Sequence, residues 1–350
     1  MVTLRTDTVR LLDDIERRID EETEEEFADS WRRFLEGKFE GEYFSPCRKT
    51  VSESTLDIPP VGINDAIGDY DLMLRHQMQG VSHALSKPDL NLAIRANYGT
   101  GIMSSLFGAE IYIMPEKMNI LPTTRPLAET EVMRGLLDKG VPSLENGFGK
   151  DVFFFGEFVR EVFSHYPKIA KYVTVYHPDS QGPLDIAELL WGCEMFYAMY
   201  DEPDLVQDVM RLITDTYIAF MDKWYGLYPL CTDINPHWAK IWHKGGILLR
   251  DDSAMNLSPD AYREFAAPYD QELLRRFGGG AIHFCGKGDH YIHMISEFEG
   301  LYGVNMSQPQ YNDMETIFRH TVDKGIFLHD LRPAYAEAGA KRGMRGRVSI

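Results

Sequence analysis

The sequence predicts an α/β protein: a (β/α)8 TIM barrel over residues 86–350 that carries an N-terminal helical extension over residues 1–85, the two forming one domain. Three observations lead there. From about Leu90 onward, short runs of β-type composition alternate with amphipathic helical stretches, the grammar of repeated βα units joined by right-handed crossovers. Side chains able to do chemistry fall directly after those runs, which in a barrel gathers them on the C-terminal rim where barrel active sites sit. The runner-up is an open doubly wound sheet, but no Gly-rich dinucleotide fingerprint follows the first strand.

In the extension, Leu11, Leu12, Ile15 and Ile19 recur at helical spacing ahead of an acidic run from Asp20 to Glu26, which reads as a solvated helix face. A turn-rich segment around Ile58-Pro-Pro-Val-Gly62 leads into a second helical stretch from Tyr70 to Leu85. Strands are expected at 91–96, 110–114, 172–176, 246–249, 281–284, 302–306, 325–328 and 347–350. The helical stretches between them include 183–199, 205–225, 259–277 and 289–298. Ser258 before Pro259 reads as an N-cap with proline at the first helical position.

Composition narrows the function. At 350 residues the chain is long for one ordinary domain, yet α/β barrels run past the usual prior of about 150 residues as a single unit. An apolar fraction of 44%, with 19 Phe, 18 Tyr and 5 Trp, supplies ample core without disulfides. Cys47, Cys193, Cys231 and Cys285 follow no framework spacing, which suits a reducing compartment. No secretory h-region follows Met1, and no apolar run approaches the roughly 20 residues that cross a bilayer, so a cytoplasmic protein is expected. A formal charge of −18 repels nucleic acid and anionic membranes, leaving a small-molecule substrate as the expected partner. Aromatics around Trp224-Tyr-Gly-Leu-Tyr228 would permit a homodimer if exposed.

The most informative stretch is Ala281-Ile-His-Phe-Cys-Gly286. Side chains alternate along a strand, so His283 and Cys285 point to the same face, and a nitrogen-plus-thiolate pair makes zinc the first choice of metal. A barrel-lining histidine beside a buried cysteine is the plainer alternative. A catalytic zinc needs about three protein ligands, so at least one more is required. The other strand ends offer Asn97-Tyr98-Gly, His177-Pro-Asp179-Ser-Gln181, Arg250-Asp251-Asp252, Ser307-Gln308 and His329-Asp330. One cavity is expected to gather Tyr98, Asp179, Gln181, Asp251, His283, Gln308 and His329.

These residues carry a resemblance. Gly245-Gly-Ile-Leu-Leu-Arg-Asp-Asp, the polar helix after it, Ile282-His-Phe-Cys-Gly286, and Gln181-Gly-Pro-Leu-Asp-Ile-Ala followed by Asp201-Glu-Pro-Asp204 together look like the uroporphyrinogen decarboxylase superfamily. The likeness runs from about Leu90 onward and is specific in the His-x-Cys-Gly segment. It implies a barrel of one of two kinds. The decarboxylases of porphyrin biosynthesis are metal-free lyases with an Arg-rich Arg-Gln-Ala-Gly-Arg-Tyr segment, which this chain lacks. The methyltransferases use zinc to move a methyl group between a corrinoid, carried by a partner protein, and a thiol, and their ligands are His-x-Cys plus a second Cys after the eighth strand. His283 and Cys285 match the first two, but no Cys follows Cys285. The third ligand is then expected from His329, as first choice, or from Asp251, Asp252, His237 or Cys231.

On that resemblance, zinc held by His283, Cys285 and His329 would activate a thiol. Asp251, Asp252, His237 and Tyr98 would act in catalysis, and Arg95, Asp179, Gln181, Arg250 and Gln308 would bind substrate. Two alternatives stay open: a decarboxylase of a smaller carboxylate using Arg95, Arg250 and His237, and a non-catalytic descendant that binds a ligand or a corrinoid protein.

Overall fold

The computed structural model describes residues 3–343 and 345–350. Its strands are β1 (Ala93–Ile94), β2 (Glu110–Tyr112), β3 (Thr123–Arg125), β4 (Thr174–Val175), β5 (Ile234–His237), β6 (Ile241–Lys244), β7 (Ile247–Arg250), β8 (Gly280–Phe284), β9 (Leu301–Met306) and β10 (Phe327–His329). A parallel sheet runs in the order β7-β8-β9-β10. Parallel bridges extend it from Leu328 to Val348 and from Ser349 to Phe44. β1 and β4 form a separate parallel pair.

Helices pack around these strands, giving a mixed α/β fold. Their ends follow local chemistry: Asp20 accepts the Thr23 N–H (2.8 Å), Asp69 the Leu72 N–H (3.0 Å), and Ser258 the Ala261 N–H (3.2 Å) with Pro259 next in line. Stretches expected as single helices are broken. Gly192, at φ 73°, separates Pro183–Trp191 from Glu194–Asp201, and Ala266 interrupts Pro259–Phe265 and Ala267–Arg276.

Several other expectations are corrected. The run at 110–114 does not join the parallel series: β2 turns back as an antiparallel hairpin with β3. The run at 347–350 is reduced to bridges at Val348 and Ser349, and Phe44, from the stretch expected to be helical, takes the next place in the ladder. Glu24 in the acidic run is buried rather than solvated, because the Arg48 guanidinium grips both its oxygens (2.6 and 2.9 Å). The aromatics proposed for a dimer surface pack inward. Trp224 is 1% exposed and stacks on Tyr228, whose hydroxyl donates to the Gly156 carbonyl (2.8 Å).

Among the described residues the strand pairing does not close into a ring. It is open between Phe44 and β1 and between β4 and β7, and the antiparallel β5–β6 hairpin sits at both openings. At its base, the Leu248 N–H donates to His177 Nε2 (3.1 Å) instead of to a strand carbonyl, and the Tyr225 hydroxyl donates to Gly246 O (2.6 Å). At its tip, buried Asn91 gives its N–H to Ala239 O (2.7 Å) and its amide to Trp238 O (3.2 Å) and Ile241 O (3.0 Å). The same side chain accepts from Trp242 Nε1 (2.6 Å). Between base and tip, β6 packs against β8, β9 and β10. The register puts Leu248, Ala281, Gly303 and Phe327 in one row across the sheet, and Ile241 and the Trp238 indole pack against Leu248 and the small Ala281. Trp242 stacks on Trp31 (6.0 Å) in an aromatic cluster with Phe27, Phe34, Phe44 and Phe327. Each such buried ring contributes about 1.5–3 kcal/mol, so the helix Glu21–Leu35 and the hairpin stabilise each other.

Candidate metal centre

Two residues further toward the strand ends, Arg250, His283, Asn305 and His329 form a polar row across β7 to β10. Period-two alternation puts them on the same face as Ala281 and Gly303. Just beyond, Cys285 and Asp252 approach His283. The Cys285 Sγ lies 3.5 Å from His283 Nε2, and Asp252 Oδ1 lies 3.5 Å from that same nitrogen. Among the described residues this is the group of three metal-ligating side chains whose donor atoms all fall within 4.8 Å of one another.

The donor set fits zinc. Ligand bonds of about 2.0–2.3 Å in a tetrahedron place neighbouring donors about 3.3–3.8 Å apart, and nitrogen, sulfur and carboxylate oxygen are all zinc donors. Asn305 Oδ1 lies 2.5 Å from His283 Nδ1 and accepts its proton, which leaves the Nε2 lone pair facing the sulfur and the carboxylate. The Asn305 amide donates onward to the His329 carbonyl (2.7 Å), so the asparagine is itself held. Burial pushes the Cys285 thiol up to about 11, with the adjacent Asp252 carboxylate adding to the rise against the Ser307 hydrogen bond. A cation between them reverses that repulsion. His283 is lowered by burial, against the pull of Asp252 and Asn305, and so stays neutral as a ligand must.

Beside the triad lies a second cluster. Asp179 is buried between the guanidinium groups of Arg95 and Arg250 and also accepts from Trp238 Nε1 (3.2 Å). Burial works to raise its pKa, yet Arg250 and Arg95 hold it below the ordinary carboxylate value. Arg250 donates to Gln181 Oε1 (2.8 Å), and the Gln181 amide donates to Asp185 (3.1 Å). Asp185 accepts the backbone N–H of Asp252 (3.0 Å) and Ser253 (2.7 Å). Hydrogen bonds therefore link the arginine pair to the loop that carries Asp252.

The structure brings Arg95, Asp179, Gln181, Arg250, Asp252, His283 and Cys285 together, and Gln308 joins them by accepting the Gly286 N–H (2.6 Å). Others lie elsewhere. His329, the first choice for third ligand, turns its ring back over Gly303, where a Cβ would meet its Nε2 at 2.2 Å, and neither ring nitrogen has a partner. Asp251 points away from the triad toward Asp270 and Tyr262, its carboxylate buried without a partner and its pKa raised well above the ordinary value by that burial. The Tyr98 ring packs on Phe148 (5.3 Å) with its hydroxyl unpartnered in the core. His237 ends β5, with its Nε2 4.0 Å from Asp179 Oδ1, beside the arginine cluster rather than in the triad. Cys231 is exposed at the hairpin base.

Asn305, Asp185 and Trp238 were not singled out from the sequence, and Ser307 was named there only as a strand-end residue. Alternation along 301–307 places Gly303, Asn305 and Ser307 on one face, a signal that reaches Asn305. Nothing local marks Asp185 or Trp238. A cavity of about 420 Å³ lined by Lys240, Asn305, Ser307, Asp330 and Arg332 borders the triad, since Asn305 touches His283 and Ser307 touches Cys285. A larger cavity of about 520 Å³ at the hairpin base reaches His177, His237 and His243 but none of the triad.

No protein-family model matches the chain, and no curated protein matches it. Among solved structures, a methyltransferase from Methanosarcina mazei is similar in fold, with a TM-score of 0.60 over 85% of this chain and 80% of that one at 15% sequence identity. Among the described residues no helix is long and apolar enough to cross a membrane.

Proposed function

We propose that this protein is a zinc-dependent methyltransferase similar to those of the uroporphyrinogen decarboxylase superfamily, transferring a methyl group between a corrinoid carried by a partner protein and a thiol. In this reading the parallel strand segments at Phe44, β1, β4, β7, β8, β9, β10 and Val348 are the eight staves of a (β/α)8 barrel, and the β5–β6 hairpin passes between them. The observation that carries the proposal is the His283, Cys285 and Asp252 triad, in which Asp252, from just past the end of β7, supplies a third donor in place of the second cysteine that the family pattern has after the eighth strand. The shared fold with a methyltransferase supports it.

When bound, zinc lowers the pKa of a coordinated thiol, so the acceptor is a thiolate nucleophile at neutral pH. The chain's own residues prepare for that chemistry. Asn305 fixes the His283 tautomer, Asp185 holds the Asp252 loop, and the Ser307 hydroxyl, 3.5 Å from Cys285 Sγ, is placed to hydrogen-bond the sulfur. A decarboxylase would need free cationic groups for a carboxylate, and both Arg95 and Arg250 are committed to Asp179.

Methylcobalamin and 2-mercaptoethanol test the proposal directly. The zinc-loaded protein is expected to demethylate the corrinoid, seen as a change in its visible absorbance, and Cys285→Ala to abolish that change. Equal rates in the two proteins would reject it.

A further inference from the structure

The tip of a β-hairpin is ordinarily a polar turn in water. Here it is Trp238-Ala-Lys240, clamped by four hydrogen bonds to buried Asn91 and carried across the face of the parallel sheet. Trp238 itself sits at φ 49°, the left-handed region that a bulky side chain adopts only when its surroundings dictate it. What dictates it is visible. The indole Nε1–H donates to Asp179 (3.2 Å), the Arg250 guanidinium lies over the ring at 4.7 Å, and the His283 imidazole meets the ring edge to face at 5.0 Å. The side chain therefore spans the gap between the arginine pair and the metal-facing histidine, and it is only half-buried.

We infer that Trp238 determines specificity, forming the wall against which the body of the acceptor lies beside His283. This rests on the thiol-acceptor function proposed above. The ring is well suited to that task because its Nε1–H edge is fixed by Asp179 and one face is held under Arg250 while part of its surface stays open, so it presents a rigid apolar body. It sets how much bulk fits next to the ligand atoms. It contributes no donor to the metal, and the spacing of His283, Cys285 and Asp252 is set by Asn305 and Asp185 instead.

The test uses cobalt(II) in the full-length protein, with two thiol probes, 2-mercaptoethanol and benzyl mercaptan, each titrated while the thiolate-to-cobalt charge-transfer band is followed. Trp238→Ala is expected to bind cobalt as tightly as wild type and to shift the ratio of the two thiol affinities toward benzyl mercaptan by at least about tenfold, the scale on which a filled pocket discriminates added bulk. Trp238→Phe, which keeps a smaller ring and protects the experiment against a folding defect, is expected to shift the ratio in the same direction by less. It should also lose the cobalt-induced fluorescence quenching that an indole this close to His283 gives the wild type. An unchanged ratio in both variants, with cobalt affinity intact, overturns the specificity role and leaves the methyltransferase proposal standing. A fall in cobalt affinity in both variants overturns it in favour of a structural role. A wild-type cobalt spectrum indifferent to both thiols removes the function on which it rests.

Discussion

Asn305 is a neutral residue that decides what His283 can do. Its carbonyl oxygen accepts the Nδ1–H hydrogen bond at 2.5 Å and its amide donates to the His329 carbonyl at 2.7 Å, so the imidazole has one orientation and turns Nε2 toward Cys285 and Asp252. Partners of this kind contribute about 10–100-fold to metal affinity. Asn305→Ala is therefore expected to weaken zinc binding by about that factor, measured by competition with a chelating dye, while His329→Ala leaves it unchanged. Loss of zinc in His329→Ala would restore that histidine as a ligand. The pairing of His283 with Cys285 was legible in the sequence because period two is a property of any strand. The approach of Asp252, rather than His329, to that pair was not. Both follow a strand, and only the turn of the His329 ring over Gly303 and the capture of the Asp252 loop by Asp185 separate them.

The β5–β6 hairpin is the element that reshapes the molecule, and its anchor is Asn91. With four hydrogen bonds made by one buried residue, Asn91→Ala leaves two carbonyls and an indole N–H without their side-chain partner. The expected cost is about 2–4 kcal/mol, read as a lower urea midpoint. Amide exchange should rise across residues 234–244 while β8 and β9 stay protected. A variant with unaltered exchange in the hairpin would show that the tip is held by other contacts. The sequence hides this hairpin for physical reasons. Pro236 interrupts β5, which argues against a strand, and Trp238-Ala-Lys240 contains none of the Asn-Gly or Asp-Gly signals that mark tight turns. The parallel strands, by contrast, announce themselves by apolar runs ahead of polar residues. The exception is the run at 110–114, whose composition suits either kind of pairing and which folds back on Thr123–Arg125.

At the scale of the whole molecule, the interior is unusual in holding neutral imidazoles. Burial lowers His177 and His243 to about 4 and His329 to about 3, and it lowers His237 as well. In the unfolded chain each titrates near 6.5, so below that pH the unfolded state binds more protons than the folded one. The stability these groups confer is complete above about pH 6.5 and is lost as the pH falls toward 4, at up to about 1.4 kcal/mol per pH unit for each. Urea unfolding at pH 7 and pH 5 should show a large fall in stability, and His243→Gln should make that fall smaller. An equal fall in wild type and His243→Gln would mean that His243 is not among the groups responsible.

Zinc titration by calorimetry of the wild type, Cys285→Ala and Asp252→Ala is the most direct test of the metal centre. The triad predicts one zinc per wild-type chain and a loss of at least about tenfold in affinity in each variant, since even outer partners of a zinc ligand contribute that much. Failure of the wild type to bind one equivalent, or binding by both variants as tight as wild type, would contradict it.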